Sequence, residues 1–223
     1  MTTLQTDSGR TSRPFIEAAI VYVAFCGLSI LSRLVPPLFF LVVVGGIVFP
    51  LFWGKRTRDW ASLGFTRRKL GRALLWGVCA GLVAMLYVAW GAKRNPLPEP
   101  PLRGLQIAIG IPLAILILGP FQEFFFRGWL QPRLERALGV WPALLATSLS
   151  FAVWHLLPPF EGSPTSAVRT SSLEGILTTL GMGLVFGYIR QRTDSIVAPW
   201  LAHAMMIVAL VAVGGMTFVQ YTP

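Results

Sequence analysis

The chain has 223 residues, of which 54% are hydrophobic and 13% charged, with a mean hydropathy of +0.65. That balance excludes both an ordinary soluble domain and a disordered chain, and the length allows a single domain or a single membrane bundle. The formal net charge of +10 does not point to nucleic acid, because the basic residues flank apolar segments and form no interleaved basic–aromatic face.

Apolar runs of about 20 residues, long enough to cross a bilayer, recur down the chain and predict an all-α, polytopic transmembrane helical bundle of about seven spans over residues 15–223. Residues 1–14 are polar, with Arg10 and Arg13, and read as a disordered cytoplasmic tail. The apolar segment that follows is too long for a signal-peptide core and shows no small-residue cleavage site, so it is expected to stay as the first span. Cys26 and Cys79 lie in apolar runs without metal spacing and read as small buried hydrophobes.

Span one is expected over 15–31, and Pro36-Pro37 marks a turn into span two, 38–53. The stretch from Lys55 to Arg72 carries seven of the nineteen basic residues and is expected to remain cytoplasmic, as a solvated loop at the headgroups. Span three, 73–92, contains Gly77-xxx-Gly81, a face that lets a neighbouring helix come close. An extended four-proline loop, 93–104, leads to span four from Leu105, where Gly119-Pro120 is expected to break the helix and start a new segment at Phe121.

A basic amphipathic extension, 131–138, stops at Gly139. Span five covers 140–157 and a polar loop 160–173. Span six, 174–189, carries Gly183-xxx-Gly187, and 190–195 reads as a short basic turn before span seven, 196–219. This arrangement places thirteen Lys/Arg on the side of the N-terminus and five on the other, with Arg127 inside a span, so the N-terminus is expected to be cytoplasmic.

Ionisable groups inside spans are costly and usually functional. Glu123 and Arg127 stand four apart on one helical face, close enough to pair, and Gln122 lies beside them. The chain has two histidines, His155 and His203, and both fall inside apolar spans; Phe151 shares a face with His155. A carboxylate, two imidazoles and a guanidinium in a protein-lined site suit acid–base activation of water and stabilisation of an oxyanion. Two His and one Glu also suffice for zinc, although there is no His-Glu-x-x-His helix, and no cofactor is favoured. Ser148 and Ser150 lack a Gly-x-Ser-x-Gly setting and read as packing residues. At about 1.5 Å per residue from the expected cytoplasmic ends, Glu123 lies ~12 Å deep, His203 ~10 Å and His155 ~21 Å.

Gln122-Glu123-Phe-Phe-Phe-Arg127, Phe151-Ala-Val-Trp-His155 and His203-Ala-Met-Met-Ile207 follow one another on successive predicted spans. Across about residues 105–210 the chain resembles the CAAX-protease and bacteriocin-processing family of intramembrane endopeptidases (CPBP, also called Abi), whose motifs are Glu-Glu-x-x-x-Arg, Phe-x-x-x-His and His-x-x-x-Asn. The resemblance implies hydrolysis of peptide bonds in a membrane-associated protein or peptide substrate, with water activated by glutamate and histidine and no metal required. Carried over by position, Glu123, His155 and His203 are the catalytic candidates, His203 as an oxyanion donor, with Gln122, Arg127, Phe151 and Ile207 shaping the site. The implied setting is a prokaryotic cell membrane, with the lipid bilayer as second partner and no nucleic acid.

Two positions depart from the family pattern: Gln122 replaces the first Glu, and Ile207 replaces the Asn. An amide cannot serve as a base, and a missing oxyanion donor costs about 3 kcal/mol where such donors matter. The alternative is therefore a catalytically silent relative acting as a membrane binding or immunity protein. A proton-coupled transporter is a further rival, but no internal repeat supports it.

Overall fold

A computed structural model of the protein describes residues 8–97, 99, 102–157 and 172–216. In lipid, each backbone N–H and C=O of a spanning segment must be satisfied within that segment, which is why the apolar runs become helices. There are seven among the described residues: α1 (Ser8–Leu31), α2 (Leu38–Thr57), α3 (Leu70–Arg94), α4 (Arg103–Leu138), α5 (Val140–Trp154), α6 (Leu173–Thr193) and α7 (Val197–Ala212). Four stretches, Arg13–Leu31 within α1 and the whole of α2, α3 and α4, are long and apolar enough to cross a membrane; α5 and α7 are shorter apolar helices. Leu86, Phe40, Val83 and Ile20 are each more than 60% exposed, and such an apolar belt requires a bilayer around it.

The protein is thus a polytopic helical membrane bundle, with its helices where the spans were expected. Helix α1 begins at Ser8, so residues 8–14 of the expected tail form its first turns, while residues 1–7 lie outside the described residues. Most of the 160–173 loop and the end of the last expected span, 217–219, also fall outside them.

Gly119-Pro120 does not break the chain into two helices, contrary to the sequence expectation. Helix α4 runs on for 36 residues and absorbs the Gly-Pro step through widened, π-type turns at Ala114–Leu118 and Phe124–Leu130. The Gly119 amide reaches back to Ala114 O, and Pro120 has no N–H with which to continue the pattern to Ile115 O. Trp200 of α7 supplies it, donating its indole N–H to Ile115 O at 2.7 Å. A proline that would end a water-exposed helix is satisfied here by a side chain from the neighbouring helix.

Two small-residue seams hold the helices together. A Cβ on Gly77 would lie 2.9 Å from the Ala198 carbonyl oxygen, so α3 and α7 touch backbone to backbone. Gly183 does the same for α6 against Ser148 of α5. Elsewhere the core is aromatic: Phe25 stacks on Phe125 at 4.0 Å and on Trp154 at 5.5 Å, and Phe126 meets Phe151 edge-on at 5.1 Å. Trp154 donates to Ser29 Oγ and Tyr22 to Ser150 O, so both polar tips are satisfied.

The basic loop between α2 and α3 is not simply solvated. Leu63 is buried at 1% exposure, Phe65 packs edge-on against Phe124 at 4.9 Å, Gly64 O accepts from Ile196 N at 3.0 Å, and Ser62 O accepts from Arg190 at 2.8 Å. Its charges point outward while its apolar residues plug the end of the bundle. Arg190, expected in a basic turn, is consequently buried in the last turn of α6.

Candidate active site

Arg127 faces inward from the second widened turn of α4 and Glu123 from the residue just before it, and both are fully buried. Arg127 Nη1 donates to Glu123 Oε1 at 3.3 Å, as their spacing predicts. The second Arg127 amino group donates to Gly183 O of α6 at 3.3 Å, and the guanidinium lies over the Phe151 ring at 4.1 Å. Each buried charge therefore has a partner, the condition under which such groups are tolerated.

His203 of α7 completes the cluster. Its Nδ1 lies 2.8 Å from Glu123 Oε1, and its ring packs against Phe186 and Phe151 with centroids 5.3 and 6.2 Å away. A carboxylate accepts, so Nδ1 carries the proton and a neutral ring presents a lone pair at Nε2. An oxyanion-donor role would require the protonated ring.

His155 is the first residue past the end of α5. Its Nδ1 donates to Phe151 O at 2.8 Å, which likewise leaves Nε2 as the acceptor, and its ring lies 4.3 Å from that of Phe151. Phe151 is the common wall, touching His155, His203 and Arg127. Arg33, in the turn between α1 and α2, donates to Leu156 O at 2.5 Å and Leu157 O at 2.7 Å, holding the chain just beyond His155.

The expected mismatch in depth disappears. Glu123 and His155 stand sixteen residues either side of Gly139, where the antiparallel helices α4 and α5 meet, and so lie at one level. The extension 131–138 is part of α4 and adds eight residues to the depth of Glu123. The start of α7 is recessed: a Cβ on Gly128 would lie 3.7 Å from Ile196 Cδ1 and 3.3 Å from Leu63 O, beneath the docked loop. This carries His203 down to Glu123.

Several polar atoms in the site are unclaimed. Glu123 Oε2, Gln122 Oε1 and Arg127 Nε are buried without a hydrogen-bond partner among the described residues. Natural proteins rarely leave such groups bare, and the exceptions often mark where a ligand or water acts. Ile207 is 3% exposed and packs with Ala114, Met206 and Val211, so its position presents hydrocarbon and no donor. Ser148 donates to Leu144 O within its own helix, as befits a packing residue.

Sequence reasoning did not single out Trp200, Phe186 or the Gly183 carbonyl. The Gly183-xxx-Gly187 spacing signalled the close approach that exposes that carbonyl to Arg127, but spacing alone does not say which group meets it.

Among known proteins, the Rce1-like family model, described as type II CAAX prenyl endopeptidase Rce1-like, matches residues 104–209, from the first turn of α4 into α7. No curated protein and no solved structure matches the chain.

Proposed function

We propose, from the match of residues 104–209 to the Rce1-like family model, that this membrane protein hydrolyses peptide bonds in a membrane-associated substrate, with Glu123 as the base. The observation that carries the proposal is the Glu123 carboxylate: Oε1 is fixed by Arg127 and His203, while Oε2 is buried and unpartnered. A group fixed through one oxygen and free at the other is pre-oriented to take a proton from water. Gln122 Oε1, unpartnered on the adjacent residue, can accept the second water hydrogen and aim the oxygen.

In this scheme His155 and His203 are the two imidazoles of the site. Once protonated by the passing proton, either can donate to the leaving amine or to the oxyanion. Arg127 Nε retains an N–H in the same cluster, a donor role beyond orienting Glu123. The donor set does not suit zinc. Among the described residues no three His, Cys, Asp or Glu side chains converge, and the Arg127 guanidinium competes for the carboxylate oxygen a cation would need. No step is therefore routed through a metal. The excess of positive charge on the loops beside the N-terminus supports a cytoplasmic N-terminus.

A silent binding or immunity role is the second reading, favoured by Ile207, whose burial in hydrocarbon removes the donor the family places there. The test is cleavage of a panel of prenylated and unprenylated reporter peptides by the purified protein, its Glu123→Ala variant and a Gln122→Glu/Ile207→Asn double variant. Cleavage by the wild type that is lost in Glu123→Ala supports the enzyme. Cleavage by the double variant alone establishes an inactivated relative.

A further inference from the structure

Helices α3 and α6 each lean on a different neighbour through their glycine seams, α3 on α7 and α6 on α5. Between them lies a groove of about 510 Å³ on the membrane face, walled by Cys79 and Val83 of α3 and Leu184 of α6, with Leu144 of α5 at its base. At one end Trp76 meets Tyr188 with ring centroids 6.3 Å apart, and beyond the other end Tyr87 is hydrogen-bonded to Thr178 at 2.8 Å. Eleven residues of α3 separate the two bridges, ~16 Å at 1.5 Å per residue, or about half the ~30 Å hydrocarbon thickness of a bilayer. The interval between the bridges, within which the groove lies, is thus about one leaflet long.

Its Trp76–Tyr188 end is basic. Arg72 lies one turn beyond Trp76 on α3, and Arg192 one turn beyond Tyr188 on the antiparallel α6, with the Arg192 guanidinium 5.8 Å from the Tyr188 ring. Both arginines are exposed, and among the described residues neither forms an ion pair. Lys69 and Asp194 bridge at 2.6 Å nearby and fix the two helix ends, leaving the arginines as surplus positive charge. An aromatic pair below two guanidinium groups matches the order of a membrane interface, with rings at headgroup level and cations at the phosphates.

We propose that this groove binds one anionic phospholipid, with an acyl chain along α3 and α6 and the phosphate held by Arg72 and Arg192. The apolar walls suit an acyl chain and the two guanidinium groups a phosphate, an anion that an apolar transmembrane helix does not supply at headgroup level. A zwitterionic lipid fits the hollow equally well but leaves the paired guanidinium groups without a net anion.

Native mass spectrometry of the full chain in detergent, titrated with phosphatidylglycerol or phosphatidylcholine, tests the proposal. The wild type should retain one phosphatidylglycerol at about tenfold lower lipid concentration than phosphatidylcholine. Arg72→Gln/Arg192→Gln should erase that preference, and Val83→Trp, which fills the groove from an exposed position, should weaken retention of both lipids. Equal retention of the two lipids by the wild type overturns the proposal. So does a preference that survives Arg72→Gln/Arg192→Gln, or retention unchanged in Val83→Trp, which would place the lipid on the arginines without the groove. A dimer mass lost in Val83→Trp would assign the groove to a second copy of the chain.

Discussion

His203 on α7 donates from Nδ1 to Glu123 Oε1 on α4 at 2.8 Å, so one buried bond joins the first and last helices of the family-matched segment. Removing the imidazole in His203→Ala leaves that oxygen to Arg127 alone and removes one of the two Nε2 groups. Cleavage should fall by about 10²–10⁴-fold, the usual contribution of a positioned acid–base group. Steady-state kinetics beside far-ultraviolet circular dichroism should show the loss in kcat with helix content unchanged; undiminished kcat would remove His203 from the mechanism.

Arg127 is held by Glu123, Gly183 O and the face of Phe151. Arg127→Leu strands the Glu123 charge in an apolar interior and should cost about 3–5 kcal/mol of stability. Glu123→Gln/Arg127→Leu removes both charges and should recover much of that cost. Unfolding midpoints in detergent measure the coupling, and equal losses in the single and double variants would show that the pair is not coupled.

Gly77 and Gly91 both lie in α3 but respond oppositely to alanine. At Gly77 the new Cβ meets the Ala198 backbone at 2.9 Å, which should cost about 1–3 kcal/mol, whereas at Gly91 nothing lies within 4 Å. Gly91→Ala should therefore be neutral or stabilise by up to about 1 kcal/mol through helix propensity. Thermal unfolding of the two variants decides whether α3 and α7 are as closely seated as described.

Asp194, in the turn between α6 and α7, has its carboxyl held below the usual range by its hydrogen bond to Lys69, aided by the charges of Lys69, Arg190 and Arg68. At Asp59, burial acts to raise the pKa, but the Ser62 hydroxyl and amide together with Arg136 outweigh it and the net shift is downward. A depressed folded pKa contributes stability above the unfolded value of about 3.9, and that contribution is lost as pH falls through the folded value. The unfolding midpoint should drop across this acidic window, and Asp59→Asn/Asp194→Asn should flatten the drop. An unchanged profile would mean that these contacts do not hold the docked loop.

Much of the fold was legible because hydrocarbon length decides it: apolar runs of membrane length marked the helices, and Glu123 and Arg127 could be paired from their spacing on one helix. The meeting of Glu123 with His203 could not be read from spacing, since it depends on how far α7 is recessed, and that is set by Leu63 and Phe65 plugging the bundle end. Those two residues were hidden among seven basic ones, and the charges suggested a solvated loop. Gly119-Pro120 misled for a related reason. Proline breaks a helix when its freed carbonyl has no other donor, and Trp200, eighty residues on, provides one.

The central claim is tested most directly by single-turnover cleavage of a prenylated reporter peptide by the wild type and by Glu123→Gln, each with and without a chelator. Glu123→Gln keeps the shape and the hydrogen bonds of the site but cannot take a proton. The account predicts cleavage by the wild type, unaffected by chelator, and a loss of at least about 10²-fold in Glu123→Gln. Equal rates for the two proteins, or wild-type activity abolished by the chelator, would contradict it.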